Sequence, residues 1–274
     1  MIPQLRTPLA ATYAEIGVAH VPGVLDAGWV GRLGGAIDRA MARRAKRSVE
    51  FNAAGEPGRF FGDMFMWRRD PDFRAAFFDT PCAALAGEAM GAARVHLFYD
   101  QIFAKEPGTP RRTPWHQDFP YWPATGDMFA TVYLALDPID AENGGVEYVA
   151  GSHRWGGEYR PAPFRAGGEG AARYDNPEFE TAPDIEAMRG TLDIRRFDLA
   201  PGDAVVFHGK LVHGAGGNAS PSRRRRTLAL RFAGDDVRWR EDVPTFKALR
   251  DAKLKTGEAL TARPDLFPVL WERG

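Results

Sequence analysis

The stretch Pro201-Gly202-Asp203-Ala204-Val205-Val206-Phe207-His208, continued by Leu211-Val212-His213-Gly214-Ala215-Gly216-Gly217-Asn218, is a turn feeding a strand and then a second short run behind a Gly-Lys turn. Pro, Gly and Asp close the reversal, and the β-branched and aromatic residues after it suit a pleated surface buried on at least one side. Runs of the same texture lie on both sides, at residues 95–105, 128–136, 145–149 and 227–232. Between them stand Pro107-Gly108, Asn143-Gly144-Gly145 and Ala150-Gly151-Ser152. Short strands punctuated this regularly predict a sandwich or small barrel.

Before residue 94 the texture is helical. Asp26 is placed to cap a helix in which Val30, Leu33, Ile37 and Met41 recur at steps of three and four, with Arg39, Arg43 and Arg44 between them. Residues 17–23 read as a short strand ended by Pro22-Gly23, and a second helical region spans roughly 71–90 with an interruption near Pro81. Helices first and strands later describe a mainly β fold, an antiparallel core buttressed by an N-terminal helical layer. The expected organisation is a single domain, with the helical layer at about 1–93, the β core at about 94–235 and a C-terminal extension at 236–274. The segment from 155 to about 194 is rich in Gly and Pro and lacks periodicity apart from a helical turn around 184–188. A stretch of that kind inside a compact domain is usually functional or mobile.

Bulk properties narrow the partners. The 36 basic and 36 acidic residues cancel, so no long-range field draws the chain to nucleic acid or to anionic lipid. The single cysteine, Cys82, cannot form an intramolecular disulfide and cannot build a thiolate metal site. Any metal must therefore rest on histidine and carboxylate. Residues 1–6 lack a basic segment followed by an apolar run, and no stretch approaches the roughly 20 apolar residues of a membrane span. The expectation is a soluble, cytoplasmic protein with a small-molecule partner.

Of the six histidines, two fall in contexts that suit a metal. In Trp115-His116-Gln117-Asp118, extended backbone would point residues two apart to one face, so that the His116 imidazole and the Asp118 carboxylate converge on one ion. Three-residue matches of this type are common by chance. His213, behind the turn and strand quoted first, supplies a third donor. Two neutral imidazoles and one carboxylate leave three positions of an ion open, the arrangement of non-haem iron(II) oxygenases.

The order Asp100-Gln101-Ile102-Phe103-Ala104-Lys105-Glu106-Pro107-Gly108, Trp115-His116-Gln117-Asp118, Glu142-Asn143-Gly144-Gly145, Ala150-Gly151-Ser152-His153-Arg154-Trp155, Pro201-Gly202-Asp203, His213-Gly214, Asn218 and Arg225-Arg226-Thr227-Leu228 covers most of the chain. In that order and spacing the sequence resembles the phytanoyl-CoA dioxygenase-like (PhyH) branch of the iron(II)- and 2-oxoglutarate-dependent oxygenases. The resemblance implies a double-stranded β-helix, the jelly-roll or cupin-like core. It also implies His116, Asp118 and His213 as metal ligands, iron(II) as cofactor, 2-oxoglutarate and dioxygen as co-substrates, and hydroxylation of an unactivated C–H bond with succinate and CO2 as co-products. An arginine on the strand after the distal histidine is expected to pair with the far carboxylate of 2-oxoglutarate. Arg225 shares a strand face with Thr227, which would add a hydroxyl to the same carboxylate; Arg224 lies nearer the usual spacing and stays open as the alternative. Gln101 and Tyr133 fall where family members often contact 2-oxoglutarate, although ordinary strand residues are equally expected there. Ala215 stands where relatives often carry a hydroxyl.

For the other candidates the bland reading carries equal or greater weight. His208 reads as a core or supporting histidine, and His153 as a loop brace. Trp115, Phe119, Tyr121 and Trp122 read as packing or as a substrate wall, and Lys105 and Arg154 as partners of an acidic group or of water. The remaining arginines of the run at 223–226 read as solvated charge. Asp118 favours hydroxylation over halogenation, because related halogenases lack that carboxylate. Two rivals stay open at this point, a cupin-type zinc or manganese hydrolase or isomerase and a catalytically silent ligand-binding barrel. Substrate specificity is expected from residues 155–194 and 60–67.

Overall fold

A computed structural model describes residues 8–43, 45, 48–162, 164, 174 and 176–274. Residues 1–6, Arg44 and, within the 155–194 segment, residues 163, 165–173 and 175 lie outside the described residues. Four helices precede the core strands: α1 (Leu9–Ile16), α2 (Ala27–Arg43), α3 (Pro71–Phe78) and α4 (Cys82–Met90). Each boundary has a local cause. Asp26 Oδ1 accepts the Trp29 N–H at 2.9 Å, which satisfies an otherwise orphaned donor at the start of α2. Asp70 does the same for Asp72 ahead of α3, where Pro71 costs nothing at the first helical position. Gly91 ends α4 in the left-handed region at φ 65°. The buried stripe of α2 is Leu33, Ala36, Ile37, Ala40 and Met41, close to the predicted one.

The strands are β1 (Val18–Val21), β2 (Val49–Glu50), β3 (Phe60–Met64), β4 (Arg94–Lys105), β5 (Thr113–His116), β6 (Ala124–Thr125), β7 (Phe129–Ala135), β8 (Val146–Val149), β9 (Ile194–Arg196), β10 (Ala204–His208), β11 (His213–Ala215), β12 (Arg225–Ala233), β13 (Arg238–Trp239) and β14 (Val269–Glu272), with a short α5 (Lys247–Arg250) in the C-terminal region. An eight-stranded sheet runs β1-β10-β7-β12-β4-β3-β2, with β14 also on β4, and a four-stranded sheet runs β5-β11-β8-β9. All of these pairings are antiparallel. The fold is a double-stranded β-helix.

Strand alternation divides the interior in two. On β12, Leu228, Leu230 and Phe232 join the core cluster that the helices cover, with Val132 and Leu134 of β7 and Val206 of β10. The opposite face carries Ala229, which packs with Tyr133, Val205, Phe207 and Tyr148 between the sheets. Residues of one parity therefore hold the helical layer, and residues of the other surround the inter-sheet space.

The N-terminal third is less purely helical than its sequence predicts. β1 pairs β10, and β3 pairs residues 101–105 of β4, while β14 from the C-terminal region pairs residues 94–96 of the same strand. The 12-residue β4 would otherwise show a long open edge, and two short distant segments close it.

Candidate metal centre and active site

His116 closes β5 and His213 opens β11, and the two residues are register partners in the smaller sheet. Their rings lie 4.2 Å apart between centroids. Asp118 arrives differently from the sequence reading. The strand stops at His116, and Asp118 takes helical angles (φ −74°, ψ −35°) as the lead residue of a one-turn 3-10 helix, Phe119–Tyr121, whose second position is Pro120. A turn, not the pleat of an extended strand, swings the carboxylate back toward the imidazole. Candidate ligand atoms of His116, Asp118 and His213 all lie within 4.8 Å of one another, and the three residues are buried.

The hydrogen bonds around the triad prepare it for an ion. His116 Nδ1 faces the Pro114 carbonyl and His213 Nδ1 faces the Leu211 carbonyl, both at 2.9 Å. A carbonyl only accepts, so each Nδ1 carries a proton and Nε2 is the nitrogen that each imidazole can offer a metal. Burial, reinforced by the neighbouring His116, pushes His213 down to about 3, which keeps it neutral. Burial alone would raise the Asp118 carboxyl. The Arg231 guanidinium overrules that and holds it well below the usual carboxylate range. Two neutral nitrogens and one anionic oxygen fit a divalent ion with three positions left open.

Around the triad lies a cavity of about 60 Å3 walled by Phe51, Phe60, Phe103, Val146 and Phe207, with polar groups from Gln101, Tyr133, Tyr148, Arg225 and Arg231. Arg225 Nε, Tyr133 Oη, Tyr148 Oη and Arg231 Nη1 are buried without a hydrogen-bond partner. One such group costs roughly 1–3 kcal/mol when it stays unsatisfied, so four in one apolar cavity fit a polar, anionic ligand. A second, outer cavity of about 560 Å3 is lined by Arg111, Arg112, Trp115, Glu147 and Glu186. It shares Thr113, Phe164 and Ala215 with the inner one. Its volume lies in the range of small-molecule sites.

The four consecutive arginines separate cleanly. Arg225 is 2% exposed, lines the inner cavity and donates through Nη1 to the Gly144 carbonyl. Arg224 faces outward to Glu106 and Asp38. Arg223 pairs with Asp140 and Glu142, and Arg226 with Asp137 and Asp38. The three outward arginines are thus tethered in ion pairs: Arg223 and Arg226, expected as solvated charge, and Arg224, the alternative anchor, which does not line the inner cavity. Gln101 and Tyr133 both reach the inner cavity. Thr227 does not join its wall; its hydroxyl meets the Phe103 carbonyl at 3.4 Å. Lys105, the register partner of Arg225 on β4, is fully buried and donates to the Gly216 carbonyl at 2.6 Å.

The bland readings fare as follows. His208 Nδ1 accepts the Lys210 N–H at 3.0 Å, and His153 Nε2 meets the Ala14 carbonyl at 3.2 Å. Trp122 donates to the Tyr99 hydroxyl within the core, while Trp115 lines the outer cavity and donates to Glu186. Tyr121 stacks between Phe164 and Phe246, and Arg154 is exposed. Two residues of the site escaped the sequence reading. Tyr148 gave no distinguishing signal. Arg231 did: it has the parity of Arg225 and Ala229 on a strand whose other face is Leu228 and Leu230.

A family model described as phytanoyl-CoA dioxygenase (PhyH) matches residues 13–226. The chain belongs to that family. As a PhyH-family protein it is an iron(II)- and 2-oxoglutarate-dependent dioxygenase, and His116, Asp118 and His213 are a group that could hold a metal ion. Among curated relatives, the multifunctional dioxygenase prhA of Penicillium brasilianum is 26% identical over 243 residues, 83% of this chain and 72% of that protein. The chain spans about half the length of further relatives, the dioxygenases named ausE from Aspergillus calidoustus and Penicillium brasilianum. Among solved structures, the carbocyclase SnoK of nogalamycin biosynthesis is 23% identical with a TM-score of 0.75, covering 98% of this chain and 97% of that one. The epimerase SnoN, solved with Fe3+, α-ketoglutarate and nogalamycin RO, is 25% identical with a TM-score of 0.71, covering 96% and 97%. Family membership sets aside the zinc hydrolase and silent-barrel readings.

Proposed function

We propose that this PhyH-family protein hydroxylates an unactivated C–H bond of a small molecule. The observation that supports this most directly is the intact Asp118 beside His116 and His213, in one cavity with the buried Arg225. Each chain residue then has a task. His116, Asp118 and His213 hold iron(II) through two nitrogens and one oxygen. Arg225 takes the distal carboxylate of 2-oxoglutarate in a charge-assisted pair, and the unpartnered hydroxyls of Tyr133 and Tyr148 donate to oxygens of the same ligand. Gln101 serves as a further polar contact on the adjoining strand. The phenylalanine wall of the inner cavity excludes water from the reacting centre, and the outer cavity receives the substrate. Bound there, iron(II) with 2-oxoglutarate as co-substrate would supply the activation of dioxygen that oxidises the substrate, with succinate and CO2 as co-products.

SnoK and SnoN carry the names carbocyclase and epimerase, so ring closure and epimerisation are the alternatives to hydroxylation, and product mass separates the three. A screen that reads succinate release under 18O2 tests the proposal. Hydroxylation adds one labelled oxygen to the product, whereas ring closure removes two hydrogens and epimerisation leaves the mass unchanged. Either of the last two, as the sole productive outcome with every substrate that stimulates turnover, contradicts it.

A further inference from the structure

Arg231 has no task in the chemistry above, yet it is 3% exposed and lines the cavity that holds the triad. Its Nη2 and Nε both approach Oδ2 of Asp118, at 3.0 and 3.2 Å. The other carboxylate oxygen, Oδ1, faces Nε2 of His116 at 3.5 Å. This is not the parallel fork in which each guanidinium N–H takes its own oxygen. Both contacts fall on one oxygen and leave the other turned toward the imidazole.

The guanidinium is itself fixed. Its Cζ lies 4.7 Å from the centre of the Tyr99 ring, and the register of β12 against β4 shifts between Arg231 and Phe232. The extra residue of that irregularity, Phe98, lies on β4, so β12 keeps its alternation, with Phe232 in the helical-side core and Arg231 on the cavity face. The remaining nitrogen, Nη1, is buried and unpartnered.

We propose that Arg231 is a positioning residue that confines Asp118 to one-oxygen coordination and thereby keeps the third open position of the ion. The inference rests on the reading of the triad as the iron site. A six-coordinate ion held by three protein atoms retains three positions, two for the keto-acid chelate and one for dioxygen. A carboxylate free to turn would present both oxygens and occupy one of those three. An arginine that occupies Oδ2 forbids the turn, and its rigid planar donor array suits this better than a lysine ammonium would. Nη1 is left to donate to a ligand oxygen entering beside the ion.

The test uses the whole chain loaded with Mn(II), whose coordinated waters are counted by water-proton relaxation. Wild type is expected to show three exchangeable waters, and Arg231→Met to bind Mn(II) but lose about one third of the relaxivity per bound ion as one water is displaced. Arg231→Lys, which can still occupy Oδ2, restores it. A folded Arg231→Met protein that binds Mn(II) with wild-type relaxivity overturns the proposal and leaves the triad standing. Failure of wild type to bind Mn(II) or Fe(II) overturns both. Should Arg231→Met not fold, X-ray absorption of the Fe(II)-loaded wild type decides: one close carboxylate oxygen supports the proposal, and a two-oxygen carboxylate overturns it.

Discussion

Arg224 and Arg225 are neighbours with opposite surroundings, one in an outward ion pair with Glu106 and the other buried at the cavity wall. Removing a charge-assisted pair costs roughly 1.5–3 kcal/mol, about 10- to 140-fold in affinity. Arg225→Ala should therefore raise the Kd for 2-oxoglutarate by about that factor in an anaerobic titration, while Arg224→Ala leaves it nearly unchanged. The reverse result would mean that the co-substrate lies elsewhere. That Arg225 faces the cavity was legible from parity along one strand. That Thr227 would turn away to the Phe103 carbonyl was not, because alternation gives a direction and no hydrogen-bond partner. Asp118 shows the same limit: its residue type and spacing pointed to a metal, but the turn that it leads, with Pro120 at the second position, sets the geometry.

At the scale of elements, β12 carries both cores. Leu230→Ala opens a cavity on the helical side and should cost about 2–5 kcal/mol in urea unfolding, with the spectroscopic signature of any bound iron unchanged. Gly144, in the turn before β8, makes a sharper case. Its φ is 83°, and a Cβ there would lie 2.6 Å from the Gly217 carbonyl oxygen. Gly144→Ala should cost about 1–3 kcal/mol from backbone strain and further stability from the clash. It should also weaken 2-oxoglutarate binding, because the Gly144 carbonyl receives Arg225. Wild-type stability in that variant would show the turn to be adaptable. The long elements were legible: α2 from its apolar period, and β4, β7, β10 and β12 from runs of β-branched and aromatic residues. The short ones were not. β2, β9 and β13 have two or three residues, too few to show a period, and β3 and β14 exist because an open edge of β4 is available to them.

Across the whole molecule, buried histidines make stability depend on acid. Burial lowers His96 and His153, and takes His208 to about 4. In the unfolded chain these imidazoles titrate near 6.5. Between about pH 6.5 and 4 the unfolded state therefore binds more protons, and stability falls as pH falls. Asp100 acts in the opposite sense. Burial pushes its carboxyl up to about 7 against the Met66 and Trp67 N–H groups that it accepts, so the folded chain takes up that proton first and gains stability on acidification. In the metal-free protein the urea midpoint should drop from pH 7 to pH 5, and Asp100→Asn should steepen the drop. Parallel curves for the two proteins would contradict the assignment. Topology was the least legible property at this scale. The β class followed from turns and strand texture, but the crossing of β1 and β14 into the large sheet depends on contacts between residues more than 170 apart, which no local pattern encodes. Among the described residues no helix is long and apolar enough to cross a membrane.

The central claim is that His116, Asp118 and His213 hold iron(II) in one cavity with the 2-oxoglutarate anchor Arg225, and anaerobic addition of iron(II) followed by 2-oxoglutarate tests it most directly. A weak visible metal-to-ligand charge-transfer band is expected, saturating at one iron and one 2-oxoglutarate per chain and absent in His213→Ala. Folded, iron-loaded wild-type protein that develops no band on adding 2-oxoglutarate would contradict it.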